Sequence, residues 1–275
     1  GWKHQLLRDL YILTRSKLNK EPEKAFSEIA SERKNKILHL SNEYKNKDAT
    51  LQHLDSFDEY YFTKNSTEVL TWQIELLAKS KEDELIIGCR RKFDELIEIF
   101  IKVNNSDGLF HKLAKVLEHS GLNVIDANIF SSNDNLVAAN TFITKYSHHD
   151  RQLNKSELIE LSERIKKNFK NFKNISELPE ANNQKNHSFK KIVEISHSIN
   201  HEKQRNMITI ETSDSVGLLA KIAKVFYENE ISIFCARINT LGERVEDTFE
   251  IVNMQNKIIS NTKIKKLIKE LKLVV

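Results

Sequence analysis

The sequence predicts an α+β protein in which a helical N-terminal segment precedes two copies of a βαββαβ unit. The main observation is an internal repeat, since residues 208–219 resemble residues 99–110 and Gly217 aligns with Gly108. Before each glycine, apolar and polar residues alternate, which is typical of a half-buried strand. After each glycine, apolar residues recur at helical spacing. Self-similarity of this kind indicates that one supersecondary unit is used twice.

The repeat continues beyond the glycines at the same offset. The residues that come into step are Ala114 with Ala223, Val116 with Val225, Val124 with Ile233, Ala127 with Ala236 and Ile129 with Ile238. Further along, Asn140-Thr141-Phe142 matches Asp247-Thr248-Phe249 at a slightly smaller offset, so the connection before it is longer in the first copy. A difference in length is expected at a hairpin tip.

Each copy continues in the order of a ferredoxin-like unit. The first helix ends at a glycine in the first copy, Gly121, which is a C-cap signal. A hairpin, a lysine-rich helix and a short apolar run that we expect to form a fourth strand then follow in both copies. The predicted ranges are 122–130 with 136–145 and 231–239 with 244–253 for the hairpins, 155–170 and 261–271 for the helices, and 192–195 and 273–275 for the fourth strands.

The pattern of the N-terminal part predicts helices, and we expect these helices not to enclose a core of their own. Residues 2–18 and 22–45 carry helical apolar stripes, and an acidic, aromatic connector follows at 55–62. Ser66 has the chemistry of an N-cap for a helix that runs through Leu77. We expect the tail of a larger helical domain here, in a piece of a longer protein. We expect three parts. Residues 1–82 form the helical segment with its connector, residues 84–200 form the first unit, and residues 205–275 form the second unit.

The composition favours a folded protein with few special features. The chain has 275 residues, of which 39% are hydrophobic, and its net charge of +4 is weak evidence for a nucleic-acid partner. No apolar run reaches the length of roughly 18 residues that a membrane helix needs. Cys89 and Cys235 have no CxxC spacing, so we interpret them as reduced thiols of a cytoplasmic protein.

No catalytic or metal-binding motif stands out. The dipeptide His149-Asp150 lacks the further ligands of a metal hydrolase, and we interpret His148 and His149 as part of a solvated turn. His197 and His201 have i, i+4 spacing without helical context or a third ligand. The pair of carboxylates that nucleotidyl transfer needs to hold Mg²⁺ behind a glycine turn is missing. We therefore expect no catalytic residue, no metal site and no cofactor in this chain.

The two glycine loops are the candidate ligand sites. A glycine at a helix N-terminus lets a ligand approach backbone N–H groups in a favourable dipole, which suits the carboxylate of a free amino acid. The alternative is that Gly108 and Gly217 only permit a tight strand-to-helix turn. RNA binding is a third reading of the same fold, but the central strands lack the exposed aromatic and basic residues that it requires.

A βαββαβ unit with a glycine between its first strand and its first helix resembles an ACT domain, a module that senses amino acids. Several stretches also resemble one family, the bifunctional uridylyltransferase/uridylyl-removing enzymes of the PII nitrogen-signalling protein. These stretches are 2–11, 58–62 with Trp72, 125–129 and 236–249, of which the last, ARINTLGERVEDTF, is the most specific.

The resemblance covers essentially the whole chain and implies a regulatory role. In that family a nucleotidyltransferase domain attaches UMP to PII, an HD domain removes it, and a C-terminal pair of ACT domains senses glutamine. The resemblance therefore implies glutamine as ligand, PII and the missing domains as partners, Mg²⁺ only in the missing catalytic domains, and neither a nucleic-acid nor a membrane partner. The alternative is a tandem-ACT module that docks on its parent or a partner protein without binding a ligand.

Departures from the family pattern suggest one composite site. In the family both loops resemble Asp-Arg-Pro-Gly-Leu and both second strands begin with Asn, whereas here Asp214 and Asn123 are each kept in one copy only. We expect Asp214 to bind the ammonium group of the ligand and the backbone near Gly217 and Leu218 to bind its carboxylate. The expected site comprises Asp214, Ser215, Val216, Gly217, Leu218, Asn123 and Val124. A weaker counterpart would comprise Asn105, Ser106, Asp107, Gly108, Leu109, Ser232 and Ile233.

Overall fold

The protein forms two compact units in a computed structural model. Unit 1 comprises Gly1–Ile86 and Ser132–Asn135, and unit 2 comprises Ile87–Ser131 and Leu136–Val275. The structure describes Tyr11, Thr14 and residues 22–41, 47–79, 85–93, 95–146, 152–173, 193–201, 204–213, 215, 217–241 and 244–275. The predicted helix at 2–18 lies almost entirely outside the described residues. In the part of the chain that is described, no helix combines the length and the apolar character needed to cross a membrane.

Unit 1 is helical. Its helices are α1 (Pro22–Ser41), α2 (Lys47–Ser56), α3 (Glu59–Lys64) and α4 (Thr67–Ala78). Ser66 is the N-cap of α4, as predicted, and its side chain accepts a hydrogen bond from the N–H of Val69. The four residues Ser132–Asn135 belong to this unit, and the N–H of Asn133 donates to the carbonyl of Ser56.

Most of the predicted connector at 55–62 is helical. Asp58 is the N-cap of α3, and its carboxylate accepts from the N–H groups of Tyr60 and Tyr61. Tyr61 and Phe62 are buried, and the Tyr61 hydroxyl donates to Oε1 of the buried Gln73. The aromatic residues Phe57, Tyr61 and Phe62 of this connector therefore form part of the core of unit 1.

The described residues of unit 2 form eight strands and four helices. The strands are β1 (Ile86–Arg91), β2 (Ile97–Asn104), β3 (Leu122–Ser131), β4 (Val137–Tyr146), β5 (Glu194–Asn200), β6 (Arg205–Ser213), β7 (Ile231–Leu241) and β8 (Arg244–Asn253). The helices are α5 (Leu109–His119), α6 (Lys155–Lys170), α7 (Leu218–Glu228) and α8 (Asn261–Val274). Buried residues alternate along β6, and α5 and α7 bury their apolar stripes, as the sequence predicted.

The eight strands form one sheet in the order β1-β2-β4-β3-β7-β8-β6-β5. The first repeat supplies β2, α5, β3 and β4, and the second supplies β6, α7, β7 and β8. The halves meet where β3 pairs antiparallel with β7. The predicted α+β class with two ferredoxin-like halves is confirmed.

The fourth strand of each predicted unit is wrong in detail. The strand predicted at 192–195 is observed as β5, which pairs with β6 of the second repeat; its first residue, Ile192, lies outside the described residues. The strand predicted at 273–275 is absent, because α8 continues to Val274. The place beside the first strand of each repeat is filled by the strand that precedes it, β1 or β5, since a short connection brings that strand back alongside. A fourth strand after α6 or α8 therefore has no free place beside β2 or β6 in the sheet.

An approximate two-fold axis relates the halves. In the pairing of β3 with β7, Asn128 lies opposite Arg237, and these two residues are equivalent in the repeat. In the helical layer, Nδ1 of His111 lies 3.4 Å from the carbonyl oxygen of Ala220, its own equivalent. Each half therefore presents its first helix and second strand to the other half in the same way.

We expect Arg33 to be essential for the stability of unit 1. It is buried, and its Nη1 donates to the carbonyls of Phe62, Thr63 and Asn65 at 2.8 to 3.0 Å, at the C-terminal end of α3. Replacing Arg33 with Met leaves these acceptors without their charged donor, which should lower the free energy of unfolding by about 2 to 3 kcal/mol. Urea denaturation would measure the loss. Amide hydrogen exchange should also become faster in Glu59–Lys64.

Lys36→Met is the matched control. Lys36 lies on the same helix, its side chain is 51% exposed, and its ion pair with Glu32 is worth little in water. Equal effects of the two substitutions would contradict a specific role for Arg33.

Candidate functional site

A narrow cavity lies between the two repeats of unit 2. Its lining from the first repeat is Ala114, Glu118, Leu122, Asn123 and Val124, and its lining from the second is Ser215, Gly217, Leu218, Leu219, Ala220, Ile238, Val245 and Asp247. Five of the seven residues predicted for the main site are therefore brought together. The other two, Asp214 and Val216, lie outside the described residues.

The N-terminus of α7 forms one wall. Gly217 is its N-cap with φ of 77°, a left-handed conformation that side chains rarely adopt. The predicted use of the Leu218 N–H for the ligand carboxylate needs correction, because this N–H already donates to the carbonyl of Ser215 at 3.1 Å. The next N–H groups of the first turn belong to Leu219 and Ala220, which also line the cavity, and such groups have no partner within a helix.

The start of β3 forms the opposite wall. Asn123 and Val124 directly precede a register shift in the pairing of β3 with β4, and the equivalent shift in β7 follows Ile233. A β-bulge bends the strand and re-aims neighbouring side chains. The bulge therefore accounts for how a residue at the start of a long strand lies at the wall of the cavity.

Sequence reasoning missed two carboxylates at this cavity, those of Glu118 and Asp247. Oε1 of Glu118 lies 2.7 Å from the point that a Cβ on Gly217 would occupy, and its Oε2 lies 3.3 Å from Nζ of Lys115. Asp247 is only 1% exposed. The repeat alignment could have found Asp247, since it replaces Asn140 of the first copy, whereas Glu118 could be found only once α5 is known to contact α7.

The cavity is small in this conformation. Its volume of about 30 Å³ leaves room for two or three water molecules at about 10 to 15 Å³ each. A free amino acid is several times larger, so the Glu118 side chain would have to swing away from Gly217 to admit one. Its ion pair with Lys115 is between residues one turn apart on the same helix, and such pairs resist movement only weakly.

No family model matches the chain. The bifunctional uridylyltransferase/uridylyl-removing enzyme of Psychrobacter sp. (strain PRwf-1) is 25% identical over 284 residues, which cover 97% of this chain and 32% of the enzyme. The enzyme of the same name from Burkholderia mallei (strain SAVP1) is 26% identical over 256 residues, which cover 90% of this chain and 29% of the enzyme. The chain is similar to these enzymes over 90–97% of its own length. It spans about a third of the length of the relatives it matches.

Among solved structures, aspartate kinase from Synechocystis is similar over 75% of this chain and 32% of the kinase. The sequence identity is 13% and the TM-score is 0.35.

The first loop differs from the second. Gly108 is the N-cap of α5 with φ of 71°, and the Tyr227 ring lies over it, with Cδ2 2.6 Å from the point that a Cβ would occupy. Tyr227 is the repeat equivalent of Glu118. Ser106 donates its N–H to Oδ1 of Asn105, and Leu109 donates its N–H to the carbonyl of Ser106.

The remaining predicted residues of the weaker site lie in the first loop and on β7. Asp107 precedes Gly108 in the loop, and Ser232 and Ile233 lie near the start of β7. The first loop is thus closed by an aromatic ring at the place where the second loop is closed by a carboxylate.

His111 lies close to the axis between α5 and α7. Its ring stacks on Tyr227 with centroids 6.1 Å apart. Burial lowers the pKa of His111; the contact with the Ala220 carbonyl opposes this shift, and the charges of Lys115 and Lys224 add to it. A neutral imidazole at this contact adds no positive charge beside the cavity.

The histidines considered from sequence show no metal site in the part of the chain that is described. His148 and His149 lie outside the described residues, and Nε2 of His197 lies 2.9 Å from Nδ2 of Asn206, a side-chain contact. Within the described ranges, no group of three His, Cys, Asp or Glu side chains could hold a metal ion. The described residues therefore do not offer the ligands of a Mg²⁺ site.

The two cysteines are both free, as predicted. Burial raises the pKa of the Cys89 thiol to about 12, and the charge of Arg164 partly opposes this shift. Such a thiol stays protonated at neutral pH and is a poor nucleophile.

We expect Gly108→Ala to destabilise the protein more than Gly121→Ala does. Both glycines have φ above 70°, so both substitutions cost about 1 to 2 kcal/mol of backbone strain. At Gly121 the nearest atom, on Tyr146, is 3.8 Å from the new Cβ, whereas at Gly108 the Tyr227 ring must move. The extra loss should be about 1 kcal/mol or more, measured by urea denaturation.

The double variant Gly108→Ala/Tyr227→Ala is the control. It removes the ring that the new Cβ would meet, so it should recover the extra loss while the backbone strain remains. Equal destabilisation by Gly108→Ala and Gly121→Ala would show that Tyr227 does not close the first loop.

Proposed function

We propose that this chain is the glutamine-sensing regulatory part, at the C-terminal end, of an enzyme that uridylylates and deuridylylates the PII protein. The observation that carries the proposal is the cavity between the repeats, where backbone donors at the start of α7 face an amide and two carboxylates. These groups are complementary to a free amino acid, which carries a carboxylate, an ammonium group and, in glutamine, a carboxamide. The names of the relatives support the choice of enzyme.

The proposed binding mode uses both repeats. The ligand carboxylate accepts hydrogen bonds from the N–H groups of Leu219 and Ala220, where the dipole of α7 favours a negative charge. The ammonium group pairs with Asp214, and with Glu118 once that side chain has turned to meet it. Asn123 completes the site from β3.

The asymmetry of the loops supports one competent site in each chain. The first loop has Tyr227 over Gly108 where the second has Glu118 over Gly217, and a ring cannot accept the hydrogen bond of an ammonium group as a carboxylate can. Asn105, the residue that replaces the loop aspartate in the first copy, contacts Oγ of Ser131 through its Nδ2 at 3.4 Å. We therefore propose that the first loop is a weak site or none.

The partners follow from the proposed function. The site would report glutamine to the nucleotidyltransferase and HD domains of the same protein, which act on PII and which need Mg²⁺ for transfer. We place the parent enzyme in the cytoplasm, a proposal to which the two free thiols lend support.

A second candidate function is a docking module that binds no ligand. The small volume of the cavity favours it, since about 30 Å³ holds no amino acid without movement of Glu118. Calorimetry of the purified chain with glutamine separates the two functions, because a docking module would release no binding heat at any glutamine concentration.

We expect Asp214→Ala to weaken glutamine binding more than Asn105→Ala does. The first substitution removes a charge-assisted hydrogen bond to the ammonium group, which corresponds to about ten- to hundredfold in affinity. Asn105 belongs to the loop covered by Tyr227, so its loss should change affinity by less than about threefold. Titration calorimetry of both variants beside the unchanged chain measures the difference.

Circular dichroism of each variant controls for folding. Equal losses in the two variants, or a larger loss from Asn105→Ala, would rule out the composite site.

A further inference from the structure

The buried carboxylate of Asp247 is a feature that the fold does not require. Asp247 on β8 lies opposite Ile210 on β6, and its equivalent Asn140 on β4 lies opposite Ile101 on β2. Asn140 is fully buried, and its Nδ2 lies 3.5 Å from the carbonyl oxygen of Ile101. The same position of the same supersecondary unit therefore accepts a neutral amide of nearly identical shape.

Burying a charge is costly in comparison. A carboxylate removed from water loses its hydration, and only well-placed donors compensate for that loss. Asp247 is 1% exposed, yet it lines the cavity, whereas the neutral Asn140 belongs to the repeat whose loop is covered by Tyr227. Of the two equivalent positions, the one that lines the cavity is therefore occupied by the acidic residue, Asp247.

The location of Asp247 determines which part of a ligand it would meet. Glu118 and Ser215 mark the more exposed end, since the Glu118 side chain is 21% exposed and Ser215 is exposed, and the groups beside them would bind the ligand's ammonium and carboxylate groups. Asp247 is far more buried and would face the end of the ligand's side chain. A carboxylate has about four acceptor positions, so its contacts within the protein leave room for a hydrogen bond from a ligand.

We propose that Asp247 is the specificity-determining residue of this site and selects a ligand whose side chain ends in a carboxamide over one that ends in a carboxylate. The carboxamide N–H₂ donates to the Asp247 carboxylate. A side-chain carboxylate at the same place has no proton to donate and is repelled by a like charge where water does not screen it. This inference rests on the proposed function, and it explains how glutamine would be told from glutamate, which has nearly the same shape.

The test is titration calorimetry of the 275-residue chain with glutamine and with glutamate at pH 7.5. The unchanged chain should bind glutamine at least about tenfold more tightly than glutamate. Asp247→Asn should lower this ratio by about ten- to hundredfold, mainly by tightening glutamate, because an amide can donate to a carboxylate. Glu160→Gln, which removes one negative charge from an exposed position of α6, should leave the ratio unchanged.

The outcomes separate the two proposals. Binding of glutamine with an unchanged ratio in Asp247→Asn would overturn the role of Asp247 and leave the sensing function standing. Equal binding of glutamine and glutamate by the unchanged chain would overturn that role even if the variant failed to fold. Binding of neither amino acid by the unchanged chain would overturn the proposed function and the inference together.

Discussion

The antiparallel pairing of β3 with β7 is the interaction on which the arrangement of unit 2 depends. It runs from Asp126 opposite Asn239 to Phe130 opposite Cys235, and it joins two four-stranded halves into one sheet without a break. Neither half exposes a free edge at this junction, where unpaired strands would invite wrong pairing. Because equivalent residues face each other across it, the pairing also sets α5 against α7.

The cavity is a consequence of that symmetry. When α5 contacts α7, residues near the end of each helix lie over the glycine at the start of the other. The start of β3 also comes close to the second loop. The two copies differ in what they place there, a carboxylate from Glu118 in one case and the ring of Tyr227 in the other. A duplication that began with two equivalent positions has thus produced two chemically different ones.

Much of the fold could be predicted from sequence because it depends on local patterns. The period-2 runs, the helical stripes after Gly108 and Gly217, and the Ser66 cap each specify an element without reference to distant residues. The closing strands could not be predicted, because β1 and β5 take the places beside β2 and β6 through pairing that depends on the whole sheet. The burial of Phe57, Tyr61 and Phe62 could not be predicted for a related reason, since burial is decided by tertiary packing.

The candidate site shows the same division. The loop glycine and the start of β3 could be proposed because the repeat and the family pattern point to them, and the structure brings them to one cavity. Glu118 reaches that cavity only through the contact of two helices that are far apart in sequence. The alignment shows that Asp247 replaces Asn140. Only the structure shows that the Asp247 position, and not the Asn140 position, adjoins the cavity.

The central claim is that both repeats build a single amino-acid site, and amide chemical-shift mapping by NMR tests it most directly. On addition of glutamine, the account predicts shifts at Asn123 and Val124 on one side and at Leu218, Leu219 and Ala220 on the other, with little change at Gly108 and Leu109. Shifts centred on Gly108 and Leu109, or confined to one repeat, would contradict it.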